Sequence, residues 1–203
     1  MWSNGRMWPG LWVRLEGRTV TLEPVRPEHE EGLRAAAADE RIWRFMAKRD
    51  MDEWLEETFA ELQAGRRAPF TAFAAEEVVG STSYMSFAPE HLRLEIGSTW
   101  MSPSTWSTGA NVEAKYLLLQ HAFESLGCRR VEFKTESTND RARGALAALP
   151  AQFEGIHRKH MLVRGGERRD SAWYAVIDDD WPEVRAALEA RLARAPAGRR
   201  GGP

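Results

Sequence analysis

Residues 92–126, LRLEIGSTWMSPSTWSTGANVEAKYLLLQHAFESL, constrain the fold most, because an alternating segment, a short polar loop and a long apolar helix follow one another directly. Leu92, Leu94 and Ile96 fall on one face of an extended chain and Arg93, Glu95 and Thr99 on the other, the period of a half-buried strand. The chain turns after Pro103. In Trp106–Asn111, WSTGAN, Gly109 permits close backbone approach, and a helix starting there presents unpaired first amides. Such amides, at the positive end of the helix dipole, can hold a phosphate without a lysine. An ordinary strand-to-helix connection would carry the same residues, since neither the glycine-rich dinucleotide fingerprint nor the Lys-Ser/Thr phosphate loop occurs in the chain. The helix itself, with Tyr116, Leu117, Leu118, Leu119, Ala122, Phe123 and Leu126, is nearly apolar all round and is expected to be buried.

The rest of the chain supplies strands and helices around this unit. Arg18–Pro24 alternates as a first strand, and Pro27 with the acidic residues after it opens a helix. Residues 39–49 break the periodicity. Asp50 and Glu53 form a capping box for a second helix whose face is Trp54, Leu55, Thr58, Phe59 and Leu62, and Gly65 stops it. Phe70–Ala75 and Val78–Phe87 flank an acidic turn as a hairpin. Arg130–Glu136 alternates again and leads through Asn139 into a short helix with Ala142, Ala145, Leu146 and Leu149 on one face. Phe153–Val163 and Ala172–Ile177, joined through Arg164-Gly165-Gly166-Glu167, make a second hairpin. A last helix begins with Asp180 and Glu183 as a capping box and buries Trp181, Val184, Leu188 and Leu192. Hairpins first and intervening helices later predict an α/β fold with a mixed, mostly antiparallel central sheet flanked by helices.

With 203 residues, 43% of them hydrophobic, the chain can bury one substantial core. The expected organisation is a loose arm at 1–10, a single domain at 11–194 and a disordered tail at 195–203. A net charge of -2 gives no basic field for nucleic acid or an anionic membrane, and only Arg199 and Arg200 in the tail speak for nucleic acid. One cysteine, Cys128, excludes an internal disulfide and a multi-cysteine metal site, and it is expected to be a small buried packing residue. No basic stretch followed by an apolar run opens the chain and no window approaches a membrane span, so a cytoplasmic protein is expected.

Several segments together resemble the GNAT superfamily of acyl-CoA N-acyltransferases, in its RimJ/RimL-like branch: EIGSTW at Glu95–Trp100, WSTGANVEAK at Trp106–Lys115, TND at Thr138–Asp140, FEG at Phe153–Gly155 and RDSAWYAVIDDDW at Arg169–Trp181. The resemblance runs in order from about Leu15 to Leu192. It implies an acetyl-CoA-dependent N-acetyltransferase that moves the acetyl group to a primary amine by direct attack in a ternary complex. It further implies that the amides of Trp106, Ser107, Thr108, Gly109, Ala110 and Asn111 take the diphosphate, that the strand edge at Trp100 and Met101 pairs with the pantetheine arm, and that Asn139 contacts that arm. Asn139 would serve equally as a helix N-cap. The family's usual residues at 106 are Gln or Arg, and at 111 Gly or Ala, so Trp106 and Asn111 leave cofactor binding to lean on backbone. Its general-acid tyrosine falls at Leu146, and its glycine after that helix at Pro150.

Glu95 resembles the family's general base, with a partly buried position in an apolar cleft expected; a cross-strand salt bridge with an arginine is the other reading of the same residue. His91, His157 and His160 are further titrating candidates, too scattered for a metal site. Proton return to the thiolate falls to Tyr174, Ser171 or water. The acceptor is an amine-bearing small molecule or a peptide N-terminus, to be decided by 39–49 and the 164–169 turn; 39–49 is expected to cover the active site. A non-catalytic acyl-CoA-binding module is the alternative from another class. Nine tryptophans and an aromatic N-terminal arm point to a homodimer.

Overall fold

The computed structural model describes residues 8–194, and the expectations for most of the N-terminal arm and for the tail lie outside them. Among the described residues the strands are β1 (Leu15–Glu16), β2 (Thr21–Pro24), β3 (Arg67–Ala74), β4 (Glu77–Ala88), β5 (Arg93–Met101), β6 (Arg130–Glu136), β7 (Gln152–Val163) and β8 (Glu167–Ile177). The helices are α1 (Glu30–Ala36), α2 (Met51–Gln63), α3 (Ala110–Gln120), α4 (Asp140–Ala147) and α5 (Trp181–Arg194). The strands form one sheet in the order β1-β2-β3-β4-β5-β6-β8-β7. Every neighbouring pair is antiparallel except β5 and β6, which the long connection through α3 makes parallel. The expected mixed, mostly antiparallel sheet is the one observed.

The sheet buries a cluster on each side. Leu94, Ile96, Val131 and Phe133 pack with Leu118 and Leu119 of α3 and Leu188 of α5, while Leu33, Trp43, Trp54 and Trp100 form the second cluster with α1 and α2. A bulge in β5 decides which side each residue serves. Ser98 has φ 50°, and the register with β4 shifts between Ser81 and Ser83. The extra residue reverses the alternation, so Met101 joins the side of Leu94 and Ile96 while Trp100 goes to the other.

Local sequence signals explain the ends of most elements. Asp50 Oδ1 accepts from the Glu53 amide at 3.0 Å, the expected cap of α2. Ala75 and Glu76, both at positive φ, close the tight β3–β4 hairpin. Trp8 packs against the core, so the last part of the expected arm is held down. Cys128 is buried, and desolvation pushes its thiol up to about 12.

Four expectations are corrected. Leu92 lies outside β5, at φ 50° after a 3-10 turn, and is exposed. The first strand begins at Thr21 and pairs with a short preceding strand, β1, which the alternation did not mark. At α5, the Glu183 and Val184 amides donate to the backbone carbonyl of Asp180 rather than to its side chain, so the capping box is replaced by main-chain bonds. Finally, α3 carries a buried carboxylate in its apolar surface. Glu113 accepts from the amides of Arg18 (2.5 Å) and Thr19 (3.0 Å) and from the Thr19 hydroxyl, which ties the β1–β2 turn to the helix. A Cβ at Gly17 would lie 2.8 Å from that carboxylate, which is why the turn has none.

Candidate active site

The site begins where two strands part. β5 and β6 pair at only three positions, Arg93 with Arg130, Leu94 with Val131 and Glu95 with Glu132. Beyond Glu95, β5 keeps its pairing with β4 as far as Met101 opposite Gly80, and β6 keeps its pairing with β8 as far as Glu136 opposite Ser171. The two therefore diverge into a wedge. The Ser102 amide donates to Val79 at 2.8 Å, and antiparallel alternation then turns the peptide groups of Met101 away from β4 and into the wedge. The Met101 carbonyl accepts from Trp106 Nε1 at 2.8 Å, which leaves the Met101 amide as the free donor on that edge. Trp100, one residue earlier and opposite Ser81, turns its peptide groups to β4 by the same alternation. Its ring is buried against Trp43 and Trp54, with centroids 6.2 and 5.6 Å away.

The loop after β5 ends at Gly109, whose φ of 96° only glycine adopts freely, and α3 starts one residue later. Among the described residues, the amides of Ser107, Gly109, Asn111 and Val112 have no protein acceptor, whereas Thr108 and Ala110 donate to Thr105 O and Thr108 Oγ1. The Trp106 amide is also taken, by Pro103 O at 3.1 Å. Asn111 Oδ1 accepts from Lys115 Nζ at 2.7 Å, and burial lowers that lysine to about 8. Asn139 caps α4 through Oδ1, 3.1 Å from the Ala142 amide, and keeps its Nδ2 free among the described residues. An open strand edge, four free amides where the loop runs into α3 and a free carboxamide N–H are the donors that a peptide-like arm and a diphosphate require, so these residues fit an acyl-CoA.

Glu95 stands at the apex of the wedge and is 1% exposed. Its surroundings differ from the expected apolar cleft. Oε2 accepts from Ser86 Oγ at 3.0 Å and from Lys134 Nζ at 2.9 Å, so the cross-strand partner is a lysine and not an arginine. Oε1 is buried without a hydrogen-bond partner among the described residues. It points over Gly97, where a Cβ would come within 2.8 Å of it and of Met85 Sδ. A buried acceptor without a partner carries a desolvation cost, and Ser83 Oγ shares that condition among the described residues.

Beside Glu95 the structure gathers residues that single-strand patterns could not join. Lys134 Nζ lies 5.5 Å from the centre of the Trp173 ring, His157 stacks on the same ring at 4.9 Å and His160 meets it edge-on at 5.5 Å. His160 Nδ1 is 3.0 Å from the buried Ser171 Oγ, and burial together with the charges of Lys134 and His157 lowers its pKa. His91 is exposed in the turn before β5 and takes no part. Tyr174, opposite Phe133, lies on the other sheet face, where its hydroxyl accepts from Arg143 Nε at 3.2 Å. Leu146 is buried in the core. Among the described residues no group of three or more His, Cys, Asp and Glu side chains could hold a metal ion.

The two segments expected to choose the acceptor are joined to each other. Residues 40–45 form a 3-10 helix with Ile42 and Trp43 buried. Arg164, in the β7–β8 turn, donates from its amide to Ala47 O and from Nη1 to Met46 O, both at 2.9 Å, and from Nη2 to Glu136 at 3.0 Å. Neither segment carries a motif, and only tertiary contact reveals the link.

The profile of the acetyltransferase (GNAT) domain matches residues 19–151. A solved protein of T. thermophilus, classed by inference as an acetyltransferase, is 38% identical, with 92% of this chain and 100% of that chain covered and a TM-score of 0.83. Mycobacterium smegmatis RimJ in complex with CoA-disulfide is 22% identical over 91% and 96% of the two chains, with a TM-score of 0.72. RimL, a ribosomal L7/L12 alpha-N-protein acetyltransferase, is 18% identical over 81% and 93%, with a TM-score of 0.71. The last two are likenesses of fold. No curated protein matches the chain.

Proposed function

Because the chain belongs to the acetyltransferase (GNAT) domain family, and is thus an acetyl-CoA-dependent N-acetyltransferase, we propose that it acetylates the α-amine of a peptide or protein N-terminus, with Glu95 as general base. The observation that carries this reading is the wedge with Glu95 at its apex, one carboxylate oxygen anchored and the other free. Bound acetyl-CoA supplies an acetyl thioester to the acceptor. The residues proposed to hold it are the Met101 edge, the loop 106–111 and Asn139, with Trp100 and Trp106 fixing the strand and loop.

Glu95 Oε1 takes the proton that the acceptor amine must lose, directly or through one water, while Ser86 and Lys134 keep the carboxylate from turning away. Met101 and the loop amides orient the cofactor, which turns a bimolecular encounter into a positioned one. Tyr174 is on the wrong sheet face to return a proton to the leaving thiolate, so water or a group beside Trp173 is left for that step.

A peptide N-terminus is favoured as acceptor by the fold shared with RimL, whose name states such a substrate. A homodimer is part of the same reading. Phe153, Ile156 and Leu162 are exposed on β7, the edge strand, and would be covered by a second copy. Among the described residues no helix is long and apolar enough to cross a membrane, and the unpaired Cys128 suits the reducing cytoplasm. The test is CoA release from acetyl-CoA in the presence of peptides with free α-amines, the same peptides N-acetylated, and polyamines. Turnover with the free peptides alone supports the proposal; turnover with polyamines alone refutes the acceptor assignment.

A further inference from the structure

The residue that replaces the family's polar side chain at 106 is a tryptophan, and the structure stacks cations on it. The Arg141 guanidinium carbon lies 4.0 Å from the centre of the Trp106 ring and that of Arg41 lies 5.2 Å from it. The ring is fixed, because its Nε1 donates to Met101 O at 2.8 Å, on the strand that edges the wedge. The two arginines are not equivalent. Arg41 is already held by Asp39, with Nη2 2.6 Å from Oδ2, whereas Arg141 has no carboxylate or carbonyl partner among the described residues. Arg141 stands in the first turn of α4, two residues after Asn139.

A guanidinium lying on an aromatic face keeps its N–H edge free, and that edge matches phosphate oxygens two at a time. Trp106 also opens the loop whose amides at Ser107, Gly109, Asn111 and Val112 are unpaired. Amides alone supply dipoles and no net charge, so a cation facing them would add charge-assisted bonds to a doubly charged diphosphate.

We propose that Arg141, laid on Trp106, is the cationic ligand of the CoA diphosphate, and that Trp106 is its positioning residue. The charge that sequence position 106 lacks is thus supplied across space, from α4. The proposal rests on the loop 106–111 as the diphosphate site.

Calorimetric titration of the full chain with CoA, dephospho-CoA and pantetheine tests both layers separately. Wild-type protein must prefer CoA to pantetheine; if it binds them equally, the loop site itself fails and the proposal with it. Given that preference, Arg141→Gln should weaken CoA and dephospho-CoA alike, by roughly 10- to 100-fold, leave pantetheine unchanged and flatten the salt dependence of CoA binding. Trp106→Leu should weaken CoA as well, and combining it with Arg141→Gln should add little, because the ring acts through the arginine. Unchanged CoA affinity in Arg141→Gln, an equal loss for pantetheine, or a loss with CoA that dephospho-CoA does not share would each overturn the assignment.

Discussion

Lys134 Nζ lies 2.9 Å from Glu95 Oε2, an ion pair bridging β5 and β6 at the level where the strands have just separated. The lysine side chain is 17% exposed and the glutamate 1%. The pair thus closes the base of the wedge from one side and leaves the second carboxylate oxygen unengaged among the described residues.

Removing the proposed base Glu95 and removing its partner Lys134 should have different signatures. Glu95→Gln is expected to lower kcat by about 10²- to 10⁴-fold with little change in CoA affinity. Lys134→Met strands a buried carboxylate and should cost about 3 kcal/mol in urea unfolding, most of it regained in the Glu95→Gln/Lys134→Met double variant, where no lone charge is left. A full loss that persists in the double variant would mean that packing, and not charge, is what Lys134 contributes.

Gly97 is the position where the smallest change should disturb the base. Its Cβ would meet Glu95 Oε1 and Met85 Sδ, each at 2.8 Å, so Gly97→Ala must displace one of them. Crowding of this kind costs about 1–3 kcal/mol, and kcat should fall while the Kd for CoA holds. Steady-state kinetics with calorimetry would decide; unaltered kcat would place the working oxygen elsewhere.

The wall made by 39–49 and the β7–β8 turn hangs on Arg164. Arg164→Ala releases Met46 O, Ala47 keeps only a main-chain bond, and Glu136 loses its partner. Stability should drop by about 2–3 kcal/mol. Acceptor KM should rise by roughly tenfold with CoA affinity unchanged, and trypsin should cut faster at Arg41, Arg44, Lys48 or Arg49.

Lys115 makes a pH prediction. Burial lowers it to about 8 from an ordinary value of 10.5. Below about pH 8 the folded and unfolded chains both carry the proton. Between there and 10.5 the unfolded chain binds a proton that the folded chain has released, so this residue's contribution to stability rises with pH across that window. Chemical unfolding from pH 7 to 10.5 should show wild type gaining on Lys115→Met; parallel curves would contradict the shift.

Local pattern made much of this protein legible. The alternation of Arg130–Glu136 gave β6 at its observed bounds, Asp50 announced the start of α2, and Gly109 marked the residue before α3. The turn at Gly109 was legible for the same reason, while three of the six loop amides, those of Trp106, Thr108 and Ala110, are taken by bonds that the loop residues alone did not announce. The bulge at Ser98 was not, because a single inserted residue leaves no trace in composition and shows itself only against the register of β4. Lys134 and Trp173 were missed because the parallel pairing of β5 with β6 and the antiparallel pairing of β6 with β8 bring them beside Glu95 from distant parts of the chain.

The sequence by itself determined most of the elements and the mixed sheet they build, because helix starts, turns and strand periods are properties of short stretches of chain. Only the tertiary structure decided what surrounds them: that Glu95 is held by a lysine, that Arg164 ties two distant loops into one wall, and that Trp106 carries an arginine from α4. These are contacts between surfaces, and their free energy exists only once the sheet has closed and its strands have parted at Glu95.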